Sequence, residues 1–193
     1  GDEFVAQFGG LEHAAVADFA KAQGAVKFFD AGDVQAHGFQ IVEDDAPFET
    51  FTESGASYMG FAASAALASA LADQPSYPIA FTGDGSFMMN PQVLIDAVQH
   101  KLRGMIVIFD NRRMGAISAL QRTQYAADFA THDCVAVDYV ALANAISGVR
   151  AVDGGTTVES LKIALATAYS HEGISLISIP TYWEDDPRGS IPA

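Results

Sequence analysis

The chain has 193 residues, half of them hydrophobic, which suits one domain with a sizeable core and excludes a disordered chain. Its 24 acidic side chains outnumber 10 basic ones, and a net charge of −14 disfavours nucleic acid and anionic membrane as partners. Cys134 is the sole cysteine, so no intrachain disulfide forms; no apolar run approaches the roughly 20 residues of a membrane span, and no signal peptide is recognisable, so a cytoplasmic protein is expected.

Along the chain, a helix is predicted from about Leu11 to Gln23, closed by Gly24 in the left-handed conformation. Ala25–Phe29 reads as a strand, and Phe48–Thr52 as a short one. The small residues of Ser57–Ala72 predict a helix able to pack closely, followed by a strand at Ile79–Thr82. Asn90-Pro91 has the chemistry of a helix start, with the helix running to about Lys101. Met105–Phe109 is a continuous apolar run, as in a strand buried on both faces. A helix over Tyr139–Ile146 is capped by Asp138, and Val149–Val152 is a weak strand. Thr156 and Glu159 have the spacing of a capping box for a helix to about Ser170. Ile174–Ile179 is the last strand, and Tyr182–Ala193 reads as an irregular tail. Alternating strands and helices imply an α/β domain over residues 1–181, a doubly wound and mostly parallel sheet with helices on both faces.

Such sheets bind ligands beyond the carboxyl ends of their strands, so the residues after Phe29, Thr82 and Phe109 carry the interest. Gly83-Asp84-Gly85-Ser86 follows one strand and Asp110-Asn111 the next. One helix and one strand separate Asp84 from Asn111, which brings both to the same edge of the sheet. A carboxylate and an amide oxygen there make a hard, oxygen-only site of the kind magnesium takes together with phosphates. Gly83 and Gly85 permit close backbone approach. Ser86 offers an amide and a hydroxyl, and the helix start at Asn90-Pro91 would add a favourable dipole.

The stretch GDGSFMMNPQVLIDAVQHKLRGMIVIFDNRRMG resembles the signature of the thiamine-diphosphate enzymes that include acetolactate synthase and pyruvate decarboxylase. DNRRMGAISALQ is also similar to the trihydroxycyclohexanedione hydrolases of that family. The resemblance spans roughly residues 20–180, one domain of a multidomain enzyme. It implies thiamine diphosphate and Mg2+ as cofactors. The metal ligands would be the side chains of Asp84 and Asn111 and the carbonyl of Arg113, with Arg112 facing solvent. Gly83, Gly85 and Ser86 would contact diphosphate, Gly115, Ala116 and Ile117 would line the same pocket, and Asp33 and Val34 would close over it. GASYMG, residues 55–60, resembles the segment beneath the cofactor's bend. There Met59 would prop the two rings into a V, while the carbonyl of Ser57 and the amide of Met59 bind the pyrimidine edge.

Gln35 and His37, after the first strand, are candidates for substrate contact or proton donation. In the family, an activating glutamate comes from a separate pyrimidine-binding domain, and Glu3, Glu12, Glu43, Glu49 and Glu53 lie in no motif that would supply it. The resemblance therefore implies a pyrimidine-binding partner subunit in a hetero-oligomer, or else a piece of a longer enzyme that carries that domain, and a small-molecule substrate. The favoured activity is decarboxylation or carboligation of a 2-oxo acid. Hydrolysis of a C–C bond in a 1,2-dione, and a non-catalytic cofactor-binding subunit, are the alternatives.

Overall fold

The computed structural model describes residues 11–131 and 135–181. The tail beyond Thr181, Glu3, His132 and Cys134 lie outside the described residues. In chain order the elements are α1 (Leu11–Ala22), β1 (Val26–Phe29), α2 (Asp33–Ile41), β2 (Thr50–Thr52), α3 (Phe61–Ala70), β3 (Pro78–Gly83) and α4 (Asp84–Phe87). They continue with α5 (Val93–Gln99), β4 (Gly104–Asp110), α6 (Gly115–Tyr125), α7 (Tyr139–Asn144), β5 (Arg150–Asp153), α8 (Val158–Tyr169) and β6 (Ile174–Pro180).

The six strands form one sheet in the order β2-β1-β3-β4-β6-β5, and every pairing is parallel. Apolar residues of β4 divide between its two faces. Met105, Val107 and Phe109 join one core with Val16, Leu161 and Leu165 from α1 and α8. Ile106 and Ile108 join the other with Ala62, Leu94 and Ala143 from α3, α5 and α7. Burial on both faces explains why this strand reads as an unbroken apolar run. From β1 the chain first moves outward to β2, then returns to place β3 on β1's other side. The β1 and β3 tips therefore flank a switch-point crevice, the place where such sheets take ligands.

The segment after β1 forms the helix α2 and residues 115–125 form α6, two helices absent from the elements predicted above, and three predicted boundaries are corrected. The small-residue helix begins at Phe61 rather than Ser57, because Gly60 takes the left-handed conformation (φ 91°) and sets the turn before it. The helix expected at Asn90 begins at Val93, with no side-chain cap. Before it the backbone makes tight turns, the amides of Val93 and Leu94 donating to the carbonyls of Asn90 and Pro91. The capping box of α8 is Thr157 with Ser160, one residue later than expected: the Thr157 hydroxyl accepts from the Ser160 amide at 3.1 Å. Asp138 caps α7 as expected, accepting from Ala141 N at 2.8 Å, and Gly24 has φ 62°.

Candidate functional site

Asp30, immediately after β1, is fully buried at the switch point. Its Oδ1 accepts from the amides of Ala31 (3.0 Å), Gly60 (2.9 Å) and Phe61 (3.2 Å), and its Oδ2 from the Thr82 hydroxyl (2.8 Å). Burial pushes its carboxyl above the ordinary value, opposed by the Thr82 hydroxyl and by the amides of Ala31, Gly60 and Ala62. One side chain thus joins the ends of β1 and β3 to the turn bearing Met59. The sequence reading missed Asp30, although the rule that selected Asp84, an acid directly following an apolar strand, applies to it equally.

Gly83 pairs with Phe109, so Asp84 leaves β3 level with Asp110, one residue short of Asn111. Asp84 and Asn111 are therefore brought to neighbouring strand tips, and Asp84 is almost wholly buried. The Asn111 Oδ1 accepts from the Arg113 amide at 3.1 Å, and Asp110 Oδ1 from the Arg112 amide at 3.1 Å. Arg112 has φ 51°, and this left-handed residue turns the loop between Asn111 and Arg113. It is half-buried rather than solvent-facing.

The Met59 side chain comes down onto the Gly83-Asp84-Gly85 turn. A Cβ on Gly85 would stand 3.2 Å from the Met59 methyl, so absence of a side chain at Gly85 makes that approach possible. Ser57, in the same exposed loop, has φ 52°. Ser86 is buried at the start of α4, and its carbonyl lies close to Gly60.

Asp33 opens α2, and its carboxylate packs against Gly115, where a Cβ would collide with it; Asn111 Nδ2 lies beside the same spot. Burial raises the Asp33 carboxyl, and the nearby charges of His13 and Arg113 oppose that. The Val34 side chain belongs to the core and faces Gly83. Gln35 braces α2 to β2, its amide donating to the Thr52 hydroxyl at 2.6 Å and to the Glu53 carbonyl at 3.2 Å. His37 is half-buried and turned toward α1, its ring 4.9 Å from that of His13, which stacks on Phe109 at 3.8 Å.

Gly115, Ala116 and Ile117 form the first turn of α6, an 11-residue helix without a side-chain cap. Its first amides have no acceptor within the helix. The turn before it is fixed by Arg113, whose Nε donates to Ser118 Oγ at 3.2 Å and whose guanidinium reaches Asp128 at 3.5 Å. Asp128 also binds Arg122 at 2.6 Å. No local pattern announces this clamp, because its members are spread over a turn, a helix and the following loop. Among the described residues no three His, Cys, Asp or Glu side chains gather as a metal cluster. A cation held here would instead use one carboxylate, one amide oxygen and main-chain carbonyls, which is a donor set for a hard ion that keeps phosphate oxygens in its shell.

A parallel doubly wound sheet with glycine turns, uncapped helix amides and hard oxygen donors along its switch-point edge is an α/β domain fitted to a metal-bound phosphate ligand. Residues 30–179 match the C-terminal TPP-binding domain of thiamine pyrophosphate enzymes, and the chain belongs to that family. It is 36% identical over 133 residues to the 3D-(3,5/4)-trihydroxycyclohexane-1,2-dione hydrolase of Shouchella clausii, covering 66% of this chain and 21% of that protein. The large subunit of Escherichia coli acetolactate synthase isozyme 2 is 34% identical over 93 residues, 48% of this chain and 17% of that protein. In fold the chain is similar to benzoylformate decarboxylase from Polynucleobacter necessarius, with TM-score 0.81 and 21% identity over 97% of this chain and 35% of that one. The Rhodococcus jostii RHA1 4-hydroxybenzoylformate decarboxylase gives TM-score 0.80 at 22% identity, over 96% of this chain and 35% of that one. The chain therefore spans about a fifth of the length of these curated relatives. No helix among the described residues is long and apolar enough to cross a membrane.

Proposed function

We propose that this chain holds the magnesium and diphosphate of thiamine diphosphate within an enzyme that breaks a C–C bond beside a carbonyl, completed by a pyrimidine-binding polypeptide that supplies the activating glutamate. The observation that carries the reading is the placement of Asp84 and Asn111 on adjoining parallel strand tips, with the Met59 side chain lying over the Gly85 turn between them and the β1 edge. Asp84, the Asn111 amide oxygen and the Arg113 carbonyl are the metal donors. The amides of Gly85 and Ser86, with those of Gly115, Ala116 and Ile117, take diphosphate oxygens. Thiamine diphosphate, when bound, supplies the carbon nucleophile and the electron sink. The protein orients it through Met59 and the Ser57 carbonyl and excludes water at the crevice floor.

Hydrolysis of a 1,2-dione is the activity favoured by relatedness, since the hydrolase match extends over 133 residues against 93 for acetolactate synthase. Decarboxylation or carboligation of a 2-oxo acid is the second reading, supported by that acetolactate synthase match. The test is a complex of this chain with its pyrimidine-binding partner, given magnesium and thiamine diphosphate. Ring opening of a cyclic 1,2-dione without carbon dioxide release supports the first reading, and carbon dioxide release from pyruvate supports the second. Cofactor binding with neither reaction sinks both. Asp84→Ala should weaken magnesium-dependent cofactor binding by about tenfold or more while leaving the circular dichroism of the fold intact, since a buried charged donor to the metal is lost. Unchanged affinity would contradict the metal assignment.

A further inference from the structure

The loop carrying Met59 is poorly supported by the sheet. Residues 54–58 are exposed, and hydrogen bonds to Glu53, Gln35 and Asp30 tie down its ends. At one end the Glu53 carboxylate accepts from the amides of Gly55 (2.7 Å) and Ala56 (3.0 Å), and the Glu53 carbonyl accepts from Gln35. At the other end the tie is Asp30, through the amides of Gly60 and Phe61. Those two amides open α3, so they have no acceptor within the helix, and Gly60 itself provides no side-chain cap. A carboxylate from another strand thus does the work of an N-cap, and its charge is favourable at the N-terminus of a ten-residue helix. The partners on the other side differ in how they are held. Thr82 and Gly83 are fixed by ladder pairing with Ile108 and Phe109, whether or not Asp30 is present. Loss of the Asp30 carboxylate would therefore release the Met59 turn and leave the diphosphate turn in place.

We infer that Asp30 is a positioning residue that sets the Met59 turn against the Gly83-Asp84-Gly85 turn, and so selects for the thiamine portion of the cofactor over diphosphate alone. The inference rests on the reading of Met59 and Asp84 given above. It separates two ligands that share one anion: inorganic diphosphate with magnesium needs the β3 and β4 tips and the first turn of α6, whereas thiamine diphosphate also needs the Met59 turn.

Calorimetric titration of both probes into the chain in complex with its pyrimidine-binding partner, with magnesium present, tests this. Asp30→Ala should keep inorganic diphosphate within about twofold of wild type while losing about tenfold or more in thiamine diphosphate affinity, the scale expected when buried amides are left unpaired. Asp30→Asn keeps an acceptor oxygen for Gly60 and Phe61, and its amide can donate to the Thr82 hydroxyl, so it should restore binding to within about threefold of wild type. Equal losses for both probes in Asp30→Ala would mark a merely structural role and overturn the proposal, as would no loss for either. A wild-type chain that binds neither probe would instead sink the site reading beneath it. Should Asp30→Ala fail to fold, hydrogen exchange in the wild type decides. Gly60 and Phe61 amides should exchange about a hundredfold or more slowly than the amide of exposed Ser54 if Asp30 holds them; rates equal to Ser54 would overturn the proposal.

Discussion

Met59 contributes a shape rather than a charge, and its place depends on a neighbour with no side chain. The Gly85 backbone leaves just the room that its methyl fills. Under the proposed reading this thioether sets the angle between the cofactor's two rings, which affects reactivity more than hold. Met59→Ala should therefore reduce kcat by about tenfold or more while cofactor affinity, governed by metal and diphosphate, stays within about threefold. Steady-state kinetics beside a cofactor titration check this; parallel losses, or equal activity, would count against the prop. Asp84 and Asn111 were legible in the sequence because each directly follows an apolar strand that announces itself. Asp30 follows such a strand too, but its role is contact with a turn 30 residues later in the chain, and no local pattern encodes that distance.

The strands were legible because burial on both faces makes them apolar without interruption, as in β4 and β6. Helices α2 and α6 were not, and for one physical reason: both give few apolar residues to the core, so neither shows the periodic stripe of a packed helix. In α2 only Val34 and Gly38 are buried. In α6 Ile117 and Leu120 are 41% and 53% exposed, the reverse of a core-facing stripe. With little apolar burial, α6 depends on the Arg113–Asp128–Arg122 clamp, in which the Asp128 and Arg113 side chains are 17% and 11% exposed. Removing the shared carboxylate leaves two guanidinium groups close together and partly desolvated. Asp128→Ala should cost about 2 kcal/mol, which is less than a fully buried pair would. That lowers Tm by about 4–8 °C for a domain of this size. It should also make the 115–131 segment more sensitive to proteolysis. A melting curve superimposable on wild type would show that α6 is held by something else.

Across the whole molecule, the first core joins α1 and α2 to the tip of β4, and it does so through polar residues. Glu12 and His13 are buried, His13 stacks on Phe109, and His37 faces both from α2. Although burial pushes the Glu12 carboxyl up, the closeness of His13, whose Nδ1 lies 3.4 Å from Glu12 Oε1, holds it below the ordinary value. For His37, burial lowers the pKa from 6.5, the proximity of His13 adds to that, and Glu12 opposes it. A lowered histidine pKa means that the unfolded chain takes up a proton before the folded one does. Stability contributed by neutral His37 is thus fully present above 6.5 and lost as pH falls through that value toward the folded-state pKa. Asp30 and Asp33, with raised values, act in the opposite sense, but both are present in wild type and in a His37 variant, so they drop out of a comparison of the two. Between about pH 7.5 and pH 5.5 the difference between the two proteins should follow the histidine. His37→Gln removes the titrating group and keeps a polar side chain of similar reach. Its melting temperature should lie furthest below wild type at the alkaline end, and the gap should narrow on acidification. A gap that widens as pH falls would mean that protonated His37 stabilises the fold, and that the α1–α2 contact is an ion pair with Glu12 rather than the packing of a neutral ring.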